Sequence, residues 1–86
     1  MKVVHCKRQT YTHYIGRPSA LGNPFVIGRD GTRAEVIAKF KAYALKTPSV
    51  LQAIQALPEQ SILGCWCSPQ ACHGDVIIEL WNKIRS

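Results

Sequence analysis

Between Leu63 and Asp75 the chain reads Leu63-Gly64-Cys65-Trp66-Cys67-Ser68-Pro69-Gln70-Ala71-Cys72-His73-Gly74-Asp75, and an apolar run gives way to an amphipathic one. Ser61 to Cys67 is β-prone and bounded by turn residues, whereas Val76, Ile77, Leu80, Trp81 and Ile84 recur at helical spacing. The segment therefore reads as a central strand, a Ser68–Ala71 loop, and a helix starting between Cys72 and Asp75. Strand alternation puts Cys65 and Cys67 on one face with Trp66 opposite. Three of the four cysteines fall here, so the segment is the place to look for a site.

The rest of the chain supplies the partners such a segment needs. Val3-Val4-His5-Cys6 suits a buried strand, and Tyr11 to Ile15 is extended. Thr32 and Glu35 have the spacing of a capping box, and Val36, Ile37, Phe40 and Ala44 follow at helical intervals, predicting a helix over Arg33–Leu45. Thr47 and Pro48 suit the cap and first position of a second helix, lined by Val50, Leu51, Ile54 and Leu57 and ended by Pro58. The order strand, loop, two helices, strand, helix predicts a small Rossmann-like α/β domain. Its sheet is short and mainly parallel, flanked by about three helices, and residues 1–86 form a single domain.

Ile15 to Phe25 holds two glycines, two prolines, a serine and an asparagine, which neither a helix nor a central strand accommodates. So long a loop in so short a chain is a candidate binding element. Gly16 and Gly22 permit close backbone approach, Arg17 offers a fork for phosphate or carboxylate, and Asn23 suits an amide or base edge. The glycine spacing is neither that of a Walker loop nor that of a dinucleotide fingerprint.

Charge points the same way. Residues 1–29 carry Lys2, Lys7, Arg8, Arg17 and Arg29 and no acid, while the remainder nearly balances within a formal charge of +6. A positive half-chain favours anionic partners, a small nucleotide-like molecule first and nucleic acid second. No run reaches the ~20 apolar residues of a membrane span. The early charges at Lys2 and Lys7 do not fit a signal peptide, so a cytoplasmic protein with reduced thiols is expected.

For the cysteine segment two chemistries compete. In open α/β sheets ligands bind beyond the carboxyl end of strands, where a new helix offers N–H groups, Gly74 among them, and a positive dipole end. On that reading Cys72 is the reactive thiolate, His73 moves protons, and Asp75 either orients His73 or caps the helix. On the other, Cys65, Cys67, Cys72 and His73 hold zinc, with Cys6 as a substitute for His73, or Cys65, Cys67 and Cys72 hold an iron–sulfur cluster with one open iron position. The adjacent Cys72 and His73 diverge, which strains that ligand set. A haem attachment needs a shorter spacing than Cys67-x4-Cys72-His73 provides.

Taken together, Ile15-Gly16-Arg17 to Leu21-Gly22-Asn23-Pro24-Phe25, Thr32-Arg33-x-Glu35-x-Ile37, and Leu63-Gly64-Cys65-Trp66-Cys67-x-Pro69-x-x-Cys72-His73-Gly74-Asp75 resemble a small uncharacterised family of bacterial and phage proteins, a domain of unknown function. The resemblance spans nearly the whole chain. It implies that the two motif segments form one site, brings no established activity or cofactor, and leaves Cys6 outside. Three functions follow as expectations. The first is an anion-binding site with thiol chemistry, and the second a zinc- or iron–sulfur-stabilised nucleic-acid module using Lys2, Lys7, Arg8, Arg17 and Arg29. The third is a phage factor acting on a host protein. Whether the chain is an enzyme stays open at this point.

Overall fold

The structure is a computed structural model, and it describes residues 1–68 and 70–85. Its elements are β1 (Lys2–His5), β2 (His13–Tyr14), α1 (Arg33–Lys46), α2 (Pro48–Gln55), β3 (Ile62–Cys65) and α3 (His73–Arg85). The sheet has the order β1-β3-β2, and both outer strands run parallel to β3. This is the small parallel α/β domain expected from the element order. β3 is the central strand, although it is the last to appear in the chain.

Register explains how the layers form. Val3 and His13 flank Leu63, while Val4 and Tyr14 flank Gly64. Because side chains alternate, Leu63 and Cys65 share a face, and it is this pair that joins Ile15, Phe40, Ala44, Ile54, Ile77 and Leu80 in the core. Each helix contributes its predicted stripe: Val36, Phe40 and Ala44 from α1, Val50 and Ile54 from α2, and Val76, Ile77, Leu80 and Trp81 from α3. Ile84 departs from the expectation. It is 38% exposed, because the last turn of α3 runs past the core. Trp81 closes the α2–α3 corner by donating its Nε1–H to Leu57 O at 2.8 Å.

The opposite face of β3 is turned away from this core. The short connection from β1 to β2 lies against it, and Tyr11 packs where Gly64 has no side chain; a Cβ at Gly64 would lie 2.6 Å from Tyr11 Cγ. Hydrogen bonds from Thr12 N to Ile62 O and from Ile15 N to Gly64 O, both 2.9 Å, dock β2 along β3. The sequence showed this stretch only as extended. Two residues suffice here because β3 already supplies the ladder.

The helix ends follow their caps. Thr32 and Glu35 form the predicted capping box, with the Glu35 carboxylate accepting from Thr32 N at 2.9 Å and Thr32 Oγ1 accepting from Glu35 N at 3.3 Å. Thr47 precedes α2 as expected, but its hydroxyl donates backwards to Tyr43 O at 2.6 Å and makes no cap bond to α2. Pro48 at the first helical position, with φ fixed and no N–H to satisfy, suffices to start that helix.

The packing of Tyr11 on Gly64 makes a testable claim. Gly64→Ala should cost about 1–3 kcal/mol by forced overpacking, read as a lower urea midpoint. The same change in a Tyr11→Ala background should cost clearly less, and equal losses in both backgrounds would contradict the contact.

Candidate functional site

A cleft of ≈ 240 Å³ opens beyond the carboxyl end of β3. Cys65 closes its floor from the strand, and Trp66 and Cys67 follow in the bend. Cys72 and His73 enter from the start of α3, Gly16, Arg17, Asn23 and Phe25 from the long loop, and Arg33, Val36 and Ile37 from α1. The two motif segments, some forty residues apart in the chain, thus share one cavity.

His73 ties those segments together. Its Nε2 lies 2.8 Å from Ile15 O and 3.0 Å from Leu21 O. Carbonyls only accept, so Nε2 carries the hydrogen, and in the neutral ring Nδ1 is the bare nitrogen. Burial holds the His73 pKa below the usual histidine value, which keeps the ring neutral, and its edge packs on Phe40 with centroids 4.9 Å apart. The bare Nδ1 faces Cys72 Sγ at 3.8 Å, while the ring's other side anchors the loop.

The thiols are arranged as a pair. All four cysteines are unbridged, and Sγ of Cys65 and Sγ of Cys72 lie 3.0 Å apart at the cleft floor. Cys65 is held down to about 6, chiefly by the hydrogen bond from Cys72 and further by the N–H groups of Cys67 and Ser68. Cys72 is pushed up, first because it donates that bond and second by burial. One proton is shared between two sulfurs. The first ionisation of the pair is therefore easy and the second hard, and thiolate character centres on Cys65 where the sequence pointed to Cys72.

Cys72 also serves the helix. It precedes the first residue of α3, and its sulfur accepts from Gly74 N at 3.2 Å in the place a serine hydroxyl would ordinarily take. Asp75 Oδ2 accepts from Cys72 N at 3.2 Å, which is the capping alternative weighed for Asp75. Asp75 N bonds Cys72 O at 3.0 Å. The N–H groups of Cys72, Gly74 and Asp75 are thus engaged in the helix's own cap, contrary to the expectation that they share an anion. Gly74 does not line the cleft. It allows α3 to approach the sheet, since a Cβ there would sit 2.7 Å from Val3 Cγ2.

In the loop, Asn23 also turns inward. Its Nδ2 donates to Val36 O at 3.1 Å and its Oδ1 accepts from Phe25 N at 3.0 Å, so the amide expected to read a ligand pins the loop to α1. Gly22 is a packing position, where a Cβ would come within 3.1 Å of Arg17 Cα and Gly16 O. Arg17 lines the cleft as predicted, steadied by one bond from Nη1 to Asn23 O at 3.0 Å.

Arg33 is the residue that sequence reasoning passed over. It sits at the first position of α1 and lines the cleft, with Nη1 donating to Ala71 O at 3.1 Å. The signal was available: a capping box fixes the helix start, and Cα–Cβ bonds tilt toward a helix N-terminus, so a long side chain there reaches back over whatever precedes it. Trp66, 55% exposed, forms the rim. Its Nε1–H donates to Tyr14 Oη at 2.7 Å, and Lys7 Nζ lies 5.4 Å from the ring centroid.

Cys65, Cys67, Cys72 and His73, weighed as metal ligands, all border the cleft. Among the described residues no group of three or more His, Cys, Asp or Glu side chains is disposed to hold a metal ion. His73 is held by carbonyls through Nε2, Cys65 and Cys72 face each other, and Cys6 lies outside the cleft. No helix among the described residues is long and apolar enough to cross a membrane.

Fold and site together define a small parallel α/β domain with a two-arginine, three-thiol cleft beyond its central strand. The chain belongs to the family described as Domain of unknown function (DUF4326), whose match covers residues 2–83. It is similar to the "Uncharacterized 12.4 kDa protein in nrdA-td intergenic region" of Enterobacteria phage T4, 30% identical over 87 residues that span 96% of this chain and 79% of that one. The resemblance to an uncharacterised bacterial and phage family is thereby confirmed. No solved structure matches the chain.

The shared proton has a sign that can be checked. Cys65 is depressed below the ordinary thiol value of 9.0, so between about 6 and 9.0 the unfolded chain holds one proton more than the folded pair, and stability rises with pH. Above that range the unfolded chain has lost both protons while Cys72 keeps its own, and stability falls. The difference in urea stability between the reduced wild type and a Cys65→Ser/Cys72→Ser double variant should therefore peak near pH 9. Acid destabilisation through His73 is common to both proteins and cancels. A difference flat from pH 6 to 9 would contradict the shared proton.

Proposed function

We propose that the cleft binds a small anionic ligand, with the Cys65–Cys72 pair at its floor supplying thiol chemistry. The observation that carries this reading is the placement of Arg17 and Arg33 on the same cavity as three thiols, with no carboxylate among the described residues that line it. Each guanidinium gives one N–H to a backbone carbonyl, which limits its rotamers and leaves further donors for an anion. The charge of the lining favours ligand anion and Cys65 thiolate separately, so the two groups repel unless the arginines lie between them. That condition favours ligands whose anionic group sits at the arginine end and whose reacting atom reaches the thiols.

Size narrows the class. Sites that enclose drug-sized ligands are roughly 300–1,000 Å³, and the cleft's ≈ 240 Å³ lies below that range. A phosphate or carboxylate with a compact neighbour fits inside. For a nucleotide, the phosphate would meet Arg17 and Arg33 while the base rested outside on Trp66, not on Asn23 as the sequence suggested. Transfer or hydrolysis through a cysteine intermediate is the chemistry such a site would run.

A second reading has its own observation. Trp66 is exposed and flanked by Lys7 and by His5, whose ring meets it edge-on at 5.9 Å between centroids. An aromatic face beside lysine is how single-stranded nucleic acid is held without sequence preference. Binding of that kind weakens steeply with salt and depends on Trp66 more than on the thiols.

Calorimetric titration with inorganic phosphate and with nucleoside monophosphates tests the first reading. Binding should weaken roughly ten- to hundredfold in Arg17→Ala and again in Arg33→Ala, the range for a charge-assisted hydrogen bond. Absence of binding by the wild type, or indifference to both substitutions, would overturn it. Retention of single-stranded DNA that falls with salt and with Trp66→Ala would then favour the second.

A further inference from the structure

The Cys65–Cys72 pair supports more than nucleophilic attack. Two sulfurs 3.0 Å apart, on segments separated by one short loop, need to close by only about 1 Å to reach the ~2.05 Å of a disulfide. Both line the cleft, and a third thiol, Cys67, lines it beside them. Nothing structural needs the sulfurs apart: the contact of Cys72 with Gly74 N is a cap that a disulfide sulfur can still accept, and Asp75 caps the same turn independently.

We propose that Cys65 and Cys72 are a redox dithiol that closes reversibly into a disulfide by exchange with a small disulfide entering the cleft. Cys65 thiolate attacks one sulfur of the incoming R–S–S–R. The R–S–S–R bond breaks, a Cys65–S–S–R mixed disulfide forms, and RS⁻ leaves to take a proton from water. Cys72 Sγ, 3.0 Å away, then attacks Cys65 Sγ while its proton passes to the departing sulfur. The S–S bond between Cys65 Sγ and the R-bearing sulfur breaks, and that sulfur leaves as RSH with the Cys72 proton. Two protein thiols are oxidised, one small disulfide is reduced to two thiols, and the reverse sequence restores the dithiol. Cys65 suits the first step because its thiolate is stabilised near neutral pH and attack requires the thiolate. Cys72 suits the second because it already touches the sulfur it must attack.

This inference shares the cleft of the anion-binding reading and its thiolate, but not its ligand. Two probes separate them: oxidised glutathione, which is anionic, and hydroxyethyl disulfide, which is neutral. After either treatment the folded wild type should lose two of its four thiols with no small thiol retained, and peptide mapping should recover a Cys65–Cys72 link. Dithiothreitol should return all four. Cys72→Ser, which keeps a good capping side chain, should stop at a stable mixed disulfide on Cys65. Faster reaction with the anionic probe, slowed by Arg17→Ala, supports both readings. Equal rates with the link formed support the dithiol and count against the anion site alone. Mixed disulfide confined to Cys67, or no Cys65–Cys72 link with either probe, overturns the proposal even if phosphate binds.

Discussion

One imidazole holds the cleft in shape. His73 sends its Nε2–H to the carbonyls of Ile15 and Leu21, which bound the first turn of the long loop, while its backbone begins α3. That bond adds a polar tie to the apolar packing of Ile15 and Leu21 in the same core as α3. Two buried carbonyls would also lose their partner, at a cost of about 1–3 kcal/mol each. The bond further decides the chemistry, because committing Nε2 as donor leaves Nδ1 bare beside Cys72. That contact thus sets the tautomer and helps to set the loop position.

The sheet makes that contact reachable. β3 sits between β1 and β2, so its carboxyl end meets both the residues that follow β2 and the start of α3. Ile15 leaves β2 directly into the loop, and Cys65 leaves β3 directly into the cysteine bend. Gly64 admits Tyr11 on one face and Gly74 admits Val3 on the other, so two glycines set how closely the layers approach. The arginines complete the site from two other places, one in the loop and one at the capped start of α1. The site is therefore a product of the topology, with no single segment containing it.

Much of this was legible from residue patterns. Helical periodicity and the Thr32–Glu35 capping box located α1 to within a residue, and Pro48 located α2, because these signals act within one turn. The strand at Ile62–Cys65 was also visible, as was the helix after it. What a one-dimensional pattern does not carry is which polar group meets which. Asn23 and Gly74 looked like ligand contacts, yet the amide of Asn23 pins α1 and Gly74 makes room for Val3. Arg33 looked like an ordinary first helical residue, and only the fold brings it over Ala71. That Cys65 and Cys72 share a proton depends on a 3.0 Å contact between the strand end and the helix start, which spacing does not encode.

The most direct test of this account is the state of the His73 ring, read from the nitrogen shifts of 15N-labelled imidazole across a pH titration. The structure requires a neutral ring at pH 7 with the hydrogen on Nε2 and Nδ1 bare. It also requires protonation displaced below the ordinary histidine value of 6.5, because burial opposes the charge. A ring carrying its hydrogen on Nδ1, or one that titrates at or above 6.5 like a solvated histidine, would contradict it: the loop would then not be anchored to α3 as described, and the cleft would lose its frame.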